Sequence, residues 1–278
     1  MTDEEHMNRR LEEHMNRRSG DLSFARALVV INLKAAAALR GAFAMQVVFM
    51  ILNNATFFVF WWALMRRVPD LRGWQLGDIE VLFGIVAAGF GLTVTFAGGV
   101  RHLSRLIDEG ELDTLLTQPK PVLLHALGLR FHPSGLGDVL SGVAFLAWSG
   151  QVSWRATPLV LLAIATSALV FLACGIVFHS LAFWAGNVET VARQLSELLI
   201  TFALYPEPLF GGALRLVLFT LLPAGFVGYV PAHLAQRPTL GLAALASTAA
   251  IVYLIVAVVL FERGLKRYAS GSRFTVHG

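Results

Sequence analysis

The chain has 278 residues, of which 56% are hydrophobic and 14% charged, with a formal net charge of +4 and a mean hydropathy of +0.66. A soluble domain carries roughly a quarter charged residues, so the composition excludes an ordinary water-soluble enzyme or binding module and points to an integral membrane protein. A membrane barrel is excluded as well, because its strands alternate apolar and polar residues, whereas VVFMIL (47–52) and VYLIVAVVLF (252–261) are unbroken apolar runs; helices must satisfy the backbone.

Residues 1–20 are charged and repeat EEHMNRR at 4–10 and 12–18, which reads as a solvated cytoplasmic tail and not as a cleavable signal peptide. Residues 21–40 place Leu22, Ala25, Leu28, Val29, Leu33, Ala36 and Leu39 on an approximate helical stripe, with Arg26, Lys34 and Arg40 interspersed. An amphipathic interfacial helix on the inner leaflet fits that pattern; direct continuation into the first span is the alternative. A span needs about 20 apolar residues. Residues 42–65, 79–100, 157–185 and 240–261 meet this, 134–150 is a short candidate opening on SGLGDVLSG, and 190–208 supplies a sixth crossing. The following stretch, 211–235, is apolar but interrupted by Gly211, Gly212, Pro223 and Pro231, too broken for one straight helix. It is expected to be re-entrant or interfacial, lining the protein interior or its outer mouth.

Lysine and arginine set the orientation. Arg9, Arg10, Arg17, Arg18, Arg26, Lys34 and Arg40 precede the first span, and Arg263, Lys266, Arg267 and Arg273 follow the last. Both termini therefore read as cytoplasmic, which requires an even number of crossings. Arg101, Arg105, Lys120 and Arg130 place the loop after the second span on the same side. Arg66, Arg67 and Arg72 would then lie outside, an exception to the rule.

The chain contains no GxxxxGK[ST], HExxH or CxxC, so neither a nucleotide site nor a catalytic centre is expected in it. Cys174 is the single cysteine and reads as a small buried hydrophobe. His125 and His132 suggest juxtamembrane polar groups more readily than a metal pair, and the sequon at Asn54 lies inside a span where no glycosyltransferase reaches. Polar groups at membrane depth are Gln46, Asn53, Asn54, Thr93, Thr95 and His179; these are candidates for a translocation path or for helix packing. Gly84, Ala88, Gly91 and Thr95 form a small-residue stripe that suits close packing. Phe57, Phe58, Trp61 and Trp62 fit either an interfacial aromatic belt or an apolar cavity. No aspartate or glutamate is centred in a clear span, which weighs against an ion-coupled transporter.

The polar island 101–121, RHLSRLIDEGELDTLLTQPKP, stands out in this background. Gly110 precedes a short helix carrying Leu112, Leu115 and Leu116, with Glu111 and Asp113 near its start, and Pro119 ends it. Such apolar knuckles with acidic flanks suit docking into a groove on a cytosolic partner; a plain solvated loop is the other reading.

GELDTLLTQPKP after a second span, with LYPEPLFGGALRLVLFTLLPAGFVGYVPAHL much later, resembles the permease subunits of type-2 ATP-binding-cassette (ABC-2) exporters. It is most similar to a bacterial branch with a G-E-L-D-x-L-L-x-x-P loop and a distal Tyr-Pro…Pro-Ala-x-Phe…Tyr-x-Pro-Ala signature. Gly110, Glu111, Leu112, Asp113, Leu115, Leu116 and Pro119 carry the first pattern; Tyr205, Pro206, Pro223, Ala224, Phe226, Tyr229, Pro231 and Ala232 carry the second. Thr117-Gln118-Pro119-Lys120 departs from the basic residue that often precedes the loop's proline in that family.

The resemblance, which covers roughly 24–265, implies an all-α membrane protein with six transmembrane helices, its permease domain spanning 21–265 and a cytoplasmic tail 266–278. It implies a bacterial cytoplasmic (inner) membrane and a dimer of this chain with itself or a paralogue. A separate ATPase subunit would bind ATP and Mg, and the 101–121 loop would serve as the coupling helix. This chain would then be no enzyme, hold no cofactor or metal, and contact lipids but no nucleic acid. A secondary transporter or channel, a membrane enzyme and a non-transporting scaffold are the alternatives.

Overall fold

The computed structural model describes residues 3–268, and apart from one isolated bridge between Leu71 and Trp74 all regular structure among them is helical. Residues 1–2 of the N-terminal tail and 269–278 of the expected C-terminal tail lie outside the described residues. Helix α1 (Asp3–Ala38) is followed at once by α2 (Arg40–Arg67). Leu39 between them leaves the helical region at φ −103° and ψ 66°. The segment before the first span is thus its own helix and not a straight extension of that span, and it begins at Asp3, upstream of the expected start at residue 21. Helix α3 (Leu76–Phe96) opens with a reciprocal cap, in which the Gln75 backbone N–H donates to Asp78 Oδ2 at 2.7 Å.

Two short helices, α4 (Leu103–Asp108) and α5 (Leu112–Leu116), lie within the island, and a third, α6 (Val122–Gly128), follows it. After them come α7 (Ser134–Trp148), α8 (Thr157–Ser180), α9 (Ala182–Ala185) and α10 (Glu189–Leu204). Helices α11 (Gly212–Leu218) and α12 (Val230–Gln236) flank a π-helical turn over Gly225–Tyr229, and α13 (Leu240–Arg267) closes the chain. Thr239 caps α13 by accepting from the Leu242 backbone N–H at 3.2 Å.

Among the described residues, four helices are long and apolar enough to cross a membrane: α2, α3, the continuous Thr157–Ala185 segment and α13. The two further crossings expected from the sequence are shorter. Helix α7 has 15 residues and α10 has 16, rises of about 22 and 24 Å at 1.5 Å per residue against a hydrocarbon core of about 30 Å. Pro133 before α7 and Pro206 after α10 limit both. Helix α10 also carries a charged stripe, with Glu189, Arg193 and Glu197 one turn apart, beside the buried Ala192, Leu199 and Ala203.

Helix α3 is the hub. Its residues from Ile79 to Gly89 are continuously buried, and it contacts α2, α7, α8, α10 and α12. The small-residue stripe performs this packing: a Cβ on Gly91 would stand 2.5 Å from the Gly135 carbonyl oxygen, and one on Gly142 would stand 2.6 Å from that of Gly84. Helices α3 and α7 therefore touch backbone to backbone. By contrast α2 turns Met45, Phe49, Leu52 and Val59 outward, and α13 does the same with Ile251, Ile255 and Val256. Apolar faces of this kind suit lipid or protein in a membrane and not water.

The broken stretch divides: residues 211–216 are exposed, whereas 223–235 pack inside the protein. Pro206, Pro223, Ala224, Pro231 and Ala232 are buried, and the π-helical turn and α12 contact α3, α8 and α13. Irregular backbone at this depth needs internal partners. Ser167 Oγ donates to the Val227 carbonyl at 2.7 Å, and Tyr229 OH to that of Phe202 at 2.7 Å. Tyr205 adds a T-shaped contact with Trp61, at 5.5 Å between ring centroids. Tyr229→Phe leaves the Phe202 carbonyl without this donor. It is expected to cost about 1 kcal/mol, read as a lower unfolding midpoint in bicelles with helical content unchanged.

Candidate coupling loop and translocation cavities

The island folds as a knuckle. Gly110, at φ +77°, turns the chain between α4 and α5 in the left-handed region that glycine adopts without steric cost. Leu112 and Leu115 are buried in a cluster with Val100, Leu103, Ile107 and Ala126, joined by Ile176 from α8 and Phe261 from α13. Leu116 points the other way and is 46% exposed, together with Glu109, Glu111, Thr114, Thr117, Gln118 and Pro119. The three leucines expected to dock together thus divide: two hold the knuckle to this chain's own helices and one presents outward. Asp113 faces Tyr268 at the end of α13. Burial first, and then the Asp113 carboxylate, raise the Tyr268 phenol to about 12, so it stays protonated.

The second half of α1 also meets the knuckle and the α6 helix that follows it. Lys120 Nζ lies 3.3 Å from Asp21 Oδ1 and donates to the Gly20 carbonyl at 3.0 Å, and Asn32 Nδ2 donates to the Gly128 carbonyl at 2.7 Å. The Phe24 ring stands edge-on to His125 at 5.2 Å. Helix α1 and the end of α13 accordingly lie at the same end of the bundle as residues 101–121.

One cavity lies at that end and a second lies deeper, sharing Phe90 and Ile200 with it. The first, of about 300 Å³, is lined among others by Thr93, Arg101, His102, His132, His179, Glu189, Arg193 and Glu197. Its charged side chains balance, with Arg193 lying 3.3 Å from Glu189. His102 and His132 stack at 6.1 Å. Burial first, then the arginines nearby, holds both imidazoles below the usual histidine range, so they are neutral at pH 7. Arg101 and His102 of the island line the cavity directly, and a buried hydrogen bond, His179 Nδ1 to Ser104 Oγ of α4 at 2.9 Å, ties its wall to the knuckle.

The second cavity, of about 200 Å³, is lined by Met50, Asn53, Asn54, Phe57, Phe83, Phe90, Asp138 and Ile200 among others. Asn54 lies at the midpoint of α2, roughly 20 Å from either end at helical rise. Its Nδ2 donates to Asp138 Oδ1 at 2.8 Å, so a carboxyl group on the short helix α7 lies level with the middle of α2, although none is centred in the four long apolar helices. Asp138 escaped notice because it opens a short, glycine-rich candidate span whose depth depends on α7 starting well below the end of α2. Gly137, which packs against the Val47 carbonyl and Met50, reveals that offset.

The structure brings Asn53 and Asn54 to the inner cavity and Thr93 and His179 to the outer one. Gln46 lines a separate groove with Asn32 and Arg130, and Thr95 is buried in packing against Gly135. Thr93 serves two purposes, because its hydroxyl also donates to the Ala168 carbonyl at 2.9 Å, pinning α3 to α8. The aromatic group divides as well: Phe57 faces the inner cavity, Phe58 packs on Phe145, Trp61 is buried, and Trp62 lies under Arg66. Tyr205, Pro206, Pro223, Tyr229 and Pro231 lie outside both cavities, in the packed broken element. Sequence reasoning did not single out Glu189, Arg193 or Glu197; their one-turn spacing on an apolar helix was the available signal.

Residues 51–272, about four fifths of the chain, match the family described as "ABC-2 family transporter protein". Neither a comparison with curated proteins nor one with solved structures finds a match.

Proposed function

The chain belongs to the ABC-2 transporter family and is a multi-pass membrane permease component; from that premise we propose that it works as half of an ATP-driven exporter. Two permeases, identical or paralogous, associate with two copies of a separate ATPase that holds ATP and Mg. Helices α7 and α10 supply the short third and fifth crossings, giving six in the bacterial inner membrane with both termini cytoplasmic. The meeting of α1, the end of α13 and the 101–121 knuckle at one end supports that topology.

The observation that carries the coupling assignment is the division of leucines in α5. Leu116, with Glu111, Thr117 and Gln118, offers a small outward surface, while Leu112 and Leu115 are buried in the cluster that also holds Ile176 of α8 and Phe261 of α13. Force on the outer face is thereby delivered to two spans and, through Ser104, to His179 at the outer cavity. Coupling requires contacts that differ between two states, and the hydrogen bond at the cavity wall is the contact this reading assigns to that role.

Co-expression of the tagged permease with the ATPase encoded beside it tests the reading. The ATPase is expected to stay bound through detergent extraction, and transport in reconstituted vesicles to stop when its Walker lysine is replaced. Transport driven by a proton or sodium gradient without ATP would refute it. Ser104→Ala is expected to leave ATPase association unchanged and to lower transport per ATP hydrolysed several-fold.

A further inference from the structure

We propose that the inner cavity binds an organic cation with an aromatic or otherwise apolar body, and that Asp138 is its counter-charge. The proposal deepens the permease reading and rests on it only for the direction of transport. Asp138 is 4% exposed, and one of its oxygens, Oδ1, accepts from Asn54, whereas Oδ2 has no hydrogen-bond partner among the described residues. A carboxylate so far from water is strongly unfavourable with a single hydrogen bond and no cation beside it. Within the cavity lining, no lysine, arginine or histidine is available to pair with it. In the empty cavity a carboxyl in this position is neutralised by a proton; a cationic ligand would displace that proton and supply the counter-charge that the wall lacks.

The rest of the wall specifies what kind of cation. Three aromatic side chains, Phe57, Phe83 and Phe90, and the Met50 thioether line a volume of about 200 Å³. Aromatic faces attract a desolvated cation within about 6 Å, and they favour one with little hydration to lose. A quaternary or bulky tertiary ammonium meets this better than a small metal ion, which needs several oxygen ligands. Asn53 and Asn54 add amide dipoles that orient a polar head without neutralising it. The outer cavity does not repel such a ligand, because Arg101 and Arg193 are balanced there by Glu189 and Glu197.

The test uses the purified full-length permease in nanodiscs, without its ATPase. Benzyltrimethylammonium and benzenesulfonate, one ring each and opposite in charge, are titrated by calorimetry. Saturable binding of the cation and none of the anion is expected. Asp138→Asn, which keeps the shape and can still accept from Asn54, should weaken cation binding at least tenfold without lowering the unfolding midpoint.

A second measurement covers the case in which that variant fails to fold. With Asp138 intact, a cysteine introduced by Asn53→Cys should react faster with a trimethylammonium thiosulfonate than with a sulfonate one, and benzyltrimethylammonium should protect it. Equal affinity in wild type and Asp138→Asn, equal reaction rates of the two reagents, or absent saturable binding of the cation overturns the proposal. ATPase association is not involved in either readout, so failure here leaves the permease reading standing, and loss of ATPase association leaves the cation site standing.

Discussion

Leu116→Asp is expected to abolish stimulation of the partner ATPase by at least tenfold while the permease inserts and folds as before. Leu116 is 46% exposed, and a substitution at such a surface position ordinarily changes stability by less than about 0.5 kcal/mol. At an interface the same change places a carboxylate where an apolar side chain would be desolvated, beside the existing Glu109 and Glu111. Burying an unpaired charge costs several kcal/mol, and 1.4 kcal/mol is already tenfold in affinity. Leu112→Ala and Leu115→Ala should behave differently. Both side chains belong to the cluster with Ile176 and Phe261, so each truncation is expected to cost about 2–5 kcal/mol and to lower the unfolding midpoint before it affects docking. Measuring ATP hydrolysis and thermal unfolding on the same preparations separates the two classes; a Leu116→Asp permease that stimulates normally would remove α5 from the coupling surface.

Gly142→Leu should have the second large effect, on assembly of the helices themselves. The position faces the Gly84 carbonyl at 2.6 Å and the Ala88 backbone nitrogen at 2.7 Å from an added Cβ, and backbone atoms cannot swing aside as a side-chain end does. Even Gly142→Ala is overpacked by about 1–3 kcal/mol, and leucine would force α7 away from α3. Because Asp138 sits one turn below on the same helix, the inner cavity should open as well. The expected result is a permease that inserts but melts early and loses cation binding. Ala144→Leu on the exposed side of α7 serves as the control and should melt normally. Unchanged melting of Gly142→Leu would contradict the backbone-contact packing of α3 on α7.

The all-helical membrane fold was legible because hydropathy is a property of each segment alone: the four long apolar helices fall where their residue runs place them. The short elements were harder, since length decides a crossing only where a segment is long enough to be unambiguous. Helix α7 has 15 residues and owes its position to glycine contacts with α2 and α3, which are visible only in three dimensions. The polar island was legible as an exception to the composition. Which of its leucines point outward was not, because five residues of helix between a glycine and a proline have no periodicity to read, and the cluster that captures Leu112 and Leu115 comes from α8 and α13, over 50 residues away. Asp138 was missed for a related reason: its partner Asn54 lies 84 residues earlier.

The central claim is that residues 101–121 are the surface on which the ATPase acts. A cysteine introduced by Thr117→Cys at the outer face of the knuckle, and another by Arg72→Cys at the opposite end of the bundle, test it by cross-linking in membranes with a short thiol-to-amine reagent. The account predicts capture of the ATPase through position 117, with a yield that changes when ATP is trapped unhydrolysed, and none through position 72. Capture through position 72, or none through position 117 from a complex that hydrolyses ATP and transports, would contradict it.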